Sequence, residues 1–149
     1  MPNNTLPLTI RALSPADAAA VANLSAQLGY PAPHDTIRQR IEDLSTSPDH
    51  ALFAACLGAD PVGWIEVSIS RHLQSAPCAL IGGLVVSQEV RSRGIGKRLC
   101  LAAENWARNQ GLALLRVRSQ IAREQAHKFY LREGFRQTKV SAVFEKALL

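Results

Sequence analysis

Hydrophobic positions recur along the chain with two spacings, and the change from one spacing to the other divides it into strands and helices. Alternating or continuous apolar runs predict strands at residues 6–12, 51–57, 62–70, 78–86 and 112–119. Apolar positions three and four residues apart predict helices over about 14–28, 34–45, 94–111 and 122–133. Two more short runs, 135–140 and 142–148, are expected to complete the sheet.

The turn residues between these segments predict how the strands pair. Residues 58–61, Gly-Ala-Asp-Pro, separate two strands closely enough for an antiparallel hairpin. In the second of these strands, alternation places Trp64 and Glu66 on one face and Ile65 and Val67 on the other. The run 78–86 is apolar at both odd and even positions, and therefore on both faces, which is typical of a central strand. The pattern predicts a mixed α/β fold with a sheet that is partly antiparallel and partly parallel.

Length and composition set the scale of the fold. A chain of 149 residues with 47% hydrophobic residues can bury one core, so we expect a single domain over residues 1–149 with its core at about 6–149. The run 78–86 is about half of the roughly 18 residues that a membrane-spanning helix needs. The first residues lack the pattern of a secretion signal, and we expect a cytoplasmic protein. Three widely spaced cysteines predict neither a disulfide framework nor a metal site.

The net charge of +5 favours anionic partners. Nucleic acid, a membrane surface and a phosphate-bearing small molecule all fit that charge. The basic residues concentrate between Arg91 and Lys139 rather than in a tail, and the few aromatic residues form no platform among them. Nucleic acid and membrane are therefore the less favoured partners.

One turn combines glycine with positive charge between a strand and a helix. Arg91, Arg93 and Lys97 surround Gly94 and Gly96 at the predicted start of the third helix. The first amides of a helix have no intrahelical partners and lie at its partly positive end, so a phosphate fits there. Neither GxxxxGK[ST] nor GxGxxG is present. Taken alone, the turn fits a phosphate site and a solvated basic rim equally well.

Two motifs resemble those of one family. RSRGIG, residues 91–96, resembles the [QR]xxGx[GA] pyrophosphate loop of the GNAT superfamily of acyl-CoA-dependent N-acyltransferases. AHKFYLREGF, residues 126–135, resembles the family's A…Y…GF motif. The resemblance extends over nearly the whole chain. It implies a single-domain GNAT-like fold with a mixed six- to seven-stranded sheet, about four helices and a splayed central strand pair. It also implies acetyl-CoA as the co-substrate and no metal.

The resemblance assigns roles to particular residues. Backbone groups of Leu84 and Val86, with Val85 between them, would pair with the pantetheine arm. Tyr130 matches the general acid that protonates the departing thiolate, although a half-buried aromatic packed between helix and sheet fits the same position. Arg123 stands where many members have asparagine, and it either reaches a cofactor phosphate or is solvated. The residues expected to hold the pyrophosphate are Arg91, Ser92, Arg93, Gly94, Ile95, Gly96 and Lys97.

The general base is not fixed by the motifs. Some relatives carry a glutamate on the fourth strand, but residues 79–84 here contain no carboxylate. Glu66, in the middle of the neighbouring strand, is the best candidate, although an outward, solvated residue fits the same pattern. His72, in the predicted loop before the fourth strand, is the next candidate, and deprotonation through water is a third route.

These observations favour an N-acetyltransferase in which an amine attacks the thioester directly. A non-catalytic acyl-CoA sensor on the same fold is the alternative; the missing carboxylate on the fourth strand favours it a little, whereas the presence of Tyr130 speaks against it. We expect the acceptor to be a small-molecule amine, and a homodimer by analogy with single-domain members. The segments expected to shape the acceptor site are 29–33, 38–43 and 139–144.

Overall fold

The computed structural model describes residues 6–90 and 93–149. Its contacts divide the chain into two compact units, the first ending at Val117 and the second beginning at Arg118. The expected single domain stays a prediction.

The first unit contains a five-stranded sheet whose strands lie in chain order. The first three pairs of neighbours are antiparallel, and the last pair, β4 with β5, is parallel. The fourth strand therefore lies between β3 and β5, as its apolar character on both faces predicts. The strands are β1 (Leu8–Ala12), β2 (His50–Leu57), β3 (Asp60–His72), β4 (Ser75–Val86) and β5 (Leu115–Val117).

Helices cover both faces of this sheet. Trp64 packs against a core formed by the first two helices and β2. A Cβ at the adjacent Gly63 would instead meet Leu99 and Ile95 of the third helix. Because successive strand residues point to opposite faces, the third helix lies on the face opposite the first two. The helices are α1 (Ala18–Gln27), α2 (His34–Ser45), α3 (Ile95–Asn109) and, in the second unit, α4 (Glu124–Arg132).

An ion pair fastens β1 to the start of the first helical segment. The Arg11 guanidinium donates two hydrogen bonds to the Asp17 carboxylate, with N–O distances of 2.7 and 2.9 Å. The backbone N–H of Ser14 donates to the same carboxylate at 2.9 Å, which is half of a capping box. Asp17 is only 8% exposed, so its charge is satisfied almost entirely by these donors. The guanidinium holds the pKa of Asp17 below its usual range.

Two sequence predictions of strands need correction. β3 extends to His72 and β4 begins at Ser75, so a tight turn at Leu73 and Gln74 replaces the predicted loop. The sheet of the first unit has five strands among the described residues, whereas six to seven were predicted; segments 135–140 and 142–148 lie in the second unit and form no strand within it. A strand is defined by its hydrogen-bonded neighbour, and the second unit by itself supplies none for these segments.

Candidate active site

The parallel pair β4 and β5 separates after three residues. Ala79, Leu80 and Ile81 of β4 pair with Leu115–Val117 of β5. β4 then continues to Val86, and within the first unit residues 82–86 have no strand partner on the β5 side. This is the splayed central pair that the family resemblance implies. Residues 82–86 of β4, facing the β5 side, are called the open edge below.

A β-bulge at Gly82 decides which backbone groups face the open edge. Val67 of β3 pairs with Ile81 and Glu66 with Gly83, so Gly82 is the extra residue in β4. Before the bulge, the Ala79 N–H donates toward β5, to Leu114 at 2.9 Å.

Beyond the bulge, the backbone N–H groups of odd-numbered residues point toward β3 instead of toward β5. The Ser87 N–H donates toward β3, to the carbonyl of Val62 at 2.8 Å. Backbone groups alternate sides along a strand, so Val85 also faces β3, whereas Leu84 and Val86 face the open edge. An extended ligand that carries amides can bind such an edge as an added strand. The pantetheine arm of CoA has this chemistry.

The glycine turn lies at the start of α3. Gly94 is the residue before the helix, and its φ of 76° is in the left-handed region that favours glycine. The first intrahelical bond runs from the Arg98 N–H to the Gly94 carbonyl, so the amides of Ile95, Gly96 and Lys97 precede it. Ile95 is buried and fixes the start of the helix, while Arg93 and Lys97 are exposed. The start of α3 therefore presents amides without an intrahelical partner and two exposed cations, which suits a phosphate group.

Two of the predicted phosphate residues, Arg91 and Ser92, lie outside the described residues. Arg98, the fourth basic residue of the turn, donates to the Leu8 carbonyl of β1 at 3.1 Å. Its guanidinium therefore serves the contact between α3 and β1.

Glu66 lies beside the bulge. Its side chain is half-buried on the face of β3 that carries Trp64, the face covered by α1 and α2. The carboxylate reaches across to β4, where Oε2 is 2.6 Å from the position that a Cβ on Gly82 would occupy. Within residues 6–90 and 93–149, no hydrogen bond or ion pair to this carboxylate is observed. A half-buried carboxylate without a partner is unfavourable and can accept a proton or bind a cation.

The other candidate base, His72, does not lie where the sequence predicts it. His72 ends β3 instead of lying in a loop, and it is exposed. Its Nε2 lies 3.0 Å from the Ser70 hydroxyl. His72 therefore belongs to the hairpin at the far end of β3 from Gly63.

Tyr130 and Arg123 belong to the second unit. The half-buried ring of Tyr130 packs edge-on against Phe129, with centroids 5.4 Å apart, and against Phe135, at 5.6 Å. These contacts fix the ring within the unit. Arg123 precedes α4 with an exposed side chain, and its backbone N–H donates to the Gln120 carbonyl at 3.0 Å.

The described residues contain no group of three or more His, Cys, Asp or Glu that could hold a metal ion. Cys56, Cys78 and Cys100 are buried, and burial raises the pKa of Cys56. No helix among the residues described is both long and apolar enough to cross a bilayer.

Sequence reasoning missed the contribution of the two adjacent glycines in β4. A Cβ on Gly82 would meet Glu66, and a Cβ on Gly83 would lie 2.7 Å from the Trp64 ring. The signal was present, because glycine inside a strand often marks a bulge or a close approach. The side chains that approach these glycines could be identified only from the pairing of β3 with β4.

Comparison with known proteins agrees with this geometry. Residues 19–135 match the model of the Acetyltransferase (GNAT) family. The chain is 32% identical over 146 residues to an aminoglycoside N(6')-acetyltransferase type 1 of Stenotrophomonas maltophilia, covering 94% of both chains. It is 38% identical over 95 residues to an aminoalkylphosphonate N-acetyltransferase of Salmonella typhimurium, covering 63% of this chain and 60% of that one. The solved structure of aminoglycoside N-acetyltransferase AAC(6')-Iy with CoA superposes with a TM-score of 0.86 at 22% identity, covering 99% of each chain.

Proposed function

The chain belongs to the GNAT acetyltransferase family, and from this premise we propose that it transfers the acetyl group of acetyl-CoA to the amine of a small molecule. The observation that carries the proposal is the open edge of β4, which runs from the bulge at Gly82 toward the glycine turn before α3. A strand-like site for amides followed by a site for phosphate matches the order of chemical groups in CoA.

Several groups of the first unit are suited to bind the co-substrate. The backbone groups of Leu84 and Val86 bind the pantetheine amides, and Val85 keeps β4 paired with β3. The amides from Arg91 through Lys97, those of Ser92 and Gly96 included, bind the pyrophosphate, and the side chains of Arg91, Arg93 and Lys97 add positive charge around it. Ile95, buried beneath the turn, holds the first helical amides in place. Arg123, in the second unit, is proposed as a further cation for a phosphate.

Two residues move protons in the proposed reaction. Acetyl-CoA supplies the activated acetyl group as a thioester. The Glu66 carboxylate accepts a proton from the bound ammonium, which leaves a lone pair on nitrogen to attack the carbonyl carbon. As the C–N bond forms and the C–S bond breaks, the Tyr130 hydroxyl donates a proton to the departing sulfur. As the amide forms, the nitrogen loses its second proton through water to the Tyr130 phenolate, and Glu66 releases its proton to solvent. The products are the acetylated amine, CoA and one proton in solution.

The acceptor is proposed to be a small cationic amine. Two of the curated relatives are named for aminoglycosides and for aminoalkylphosphonates, which are both small molecules with amines. The Glu66 carboxylate, which has no partner among the described residues, favours a positively charged acceptor at the same place. Segments 29–33, 38–43 and 139–144 are proposed to shape the rest of the acceptor site. A homodimer remains an expectation, which analytical ultracentrifugation would test.

Calorimetric titration of the purified chain with acetyl-CoA, and separately with ATP, tests the proposal first. We expect saturable binding of acetyl-CoA and none of ATP. Release of free thiol is then measured with an aminoglycoside, an aminoalkylphosphonate and a lysine-containing peptide, and the first two are expected to react. Binding without thiol release from any amine would favour the sensor. A folded chain that binds neither nucleotide would contradict the assignment of the turn.

A further inference from the structure

We propose that Gly82 is a positioning residue, which leaves the space in which the Glu66 carboxylate is held at the open edge of β4. This inference rests on the proposed function, because it assigns the place from which the acceptor loses its proton. Gly82 has no side chain, so its role cannot be recognised from the reacting groups alone.

The space above Gly82 is taken by the carboxylate. A Cβ at this position would lie 2.6 Å from Oε2, 2.9 Å from Cδ and 3.2 Å from Oε1 of Glu66. The two shorter distances are closer than non-bonded carbon contacts allow, since carbon atoms attract best at about 3.5–4.0 Å. Any side chain at position 82 would therefore displace the carboxylate.

Backbone conformation does not require glycine at this position. The described glycines with positive φ are Gly29, Gly58, Gly94, Gly111 and Gly134. Gly82 is not among them, so alanine is compatible with its backbone. The atoms that alanine would meet are the end of a flexible side chain, which can rotate away. Alanine should thus remove the carboxylate from its place and leave the fold intact.

The position of the Glu66 carboxylate along β4 is what relates its contact with Gly82 to catalysis. The bulge at Gly82 is where β4 leaves β5 and where its backbone groups begin to face the open edge. A carboxylate held over the bulge lies at the start of the edge that is proposed to bind the pantetheine arm. The Trp64 ring lies over Gly83 in the same way and occupies the adjacent space. A displaced carboxylate must therefore move away from Trp64.

The test is the effect of Gly82→Ala in two backgrounds, the natural chain and Glu66→Gln. In the natural chain we expect kcat to fall about tenfold or more, as for loss of a positioned base. The Kd for acetyl-CoA, measured by calorimetry, should change less than about threefold, since no hydrogen bond to the co-substrate is removed. In the Glu66→Gln background, where no base remains, Gly82→Ala should lower kcat by less than about twofold.

Glu66→Asp provides a rescue. Its shorter side chain withdraws the carboxylate from Gly82, so Gly82→Ala should cost less activity in this background than in the natural chain. A purely structural role for Gly82 predicts the same fold-loss in all three backgrounds, and that result would overturn the proposal. An unchanged kcat in Gly82→Ala alone would overturn it as well.

Gly83→Ala is the matched control. Its Cβ would press on the Trp64 ring rather than on Glu66, so it should lower the melting temperature and change kcat by the same factor with Glu66 or Gln at position 66. If the natural chain acetylates none of the amines, the proposed function fails by itself. The positioning is then judged from crystal structures of the natural chain and Gly82→Ala, and a carboxylate in the same place in both would overturn it.

Discussion

At the scale of single residues, the hydroxyl of Tyr130 can be separated from its ring. The ring is held edge-on by Phe129 and Phe135, and Tyr130→Phe keeps both contacts. The proposed proton donor to the departing sulfur is lost, so kcat should fall by about 10²–10⁴-fold. The Kd for acetyl-CoA should stay within about twofold, because no binding group is removed. Steady-state kinetics and calorimetry check the two values, and an unchanged kcat would exclude Tyr130 as the acid.

Asp17 should make stability depend on pH. Because Arg11 lowers the pKa of Asp17 in the folded chain, the ion pair stabilises the fold above the ordinary carboxyl pKa of about 3.9. That contribution is lost as the pH falls through the lowered value. Asp17→Asn should reduce the free energy of unfolding at pH 7 by about 1–2 kcal/mol, a figure limited by solvent screening of Arg11. Urea unfolding at pH 7 and pH 3 should show the difference shrinking at the lower pH.

Asp35→Asn is the control for this measurement. Asp35 also pairs with an arginine, Arg38 at 3.1 Å, but both side chains are largely exposed. Such a pair contributes little, so the variant should resemble the natural chain at both pH values. A loss as large as that of Asp17→Asn would mean that burial is not what distinguishes the two pairs.

At the scale of elements, proline can test which side of β4 each amide faces. The Val86 N–H faces the open edge, so Val86→Pro should leave the pairing with β3 intact and weaken acetyl-CoA binding about tenfold. The Val85 N–H faces β3, so Val85→Pro should remove a ladder bond, leave its acceptor unpaired and destabilise the fold by about 1–3 kcal/mol. Melting temperature and calorimetry distinguish the two outcomes. Equal destabilisation by both would contradict the shift in parity at Gly82.

The sequence predicted elements well where local chemistry determines them. Helix α2 is observed at His34–Ser45 as predicted, and the hairpin of β2 and β3 follows from its Gly-Ala-Asp-Pro turn. The turn between β3 and β4 was mistaken for a loop because Leu73 and Gln74 lack the usual turn residues. The bulge at Gly82 was not predicted because it depends on the register of β4 with another strand. The position of the Glu66 carboxylate depends in turn on that bulge.

At the scale of the whole molecule, binding of acetyl-CoA should appear as added stability. A ligand that binds only the folded chain, at a free concentration of 100 times its Kd, stabilises it by about 2.7 kcal/mol. For a chain of this size that corresponds to a rise of roughly 5–10 °C in the melting temperature. Replacing both Gly94 and Gly96 with valine should abolish the rise while leaving a cooperative transition, since side chains would block the phosphate from the amides. Differential scanning calorimetry with and without acetyl-CoA measures it.

Gly111→Val separates loss of binding from loss of stability. Gly111 has the same φ of 76° as Gly94, and a Cβ at either position would meet no other atom within 4 Å. Valine should therefore impose similar strain at both, about 1–2 kcal/mol, and lower the melting temperature of the free chain in both variants. Gly111 follows the other end of α3, so its variant should keep the full rise with acetyl-CoA. If both variants lose the rise, general destabilisation rather than the phosphate turn accounts for it.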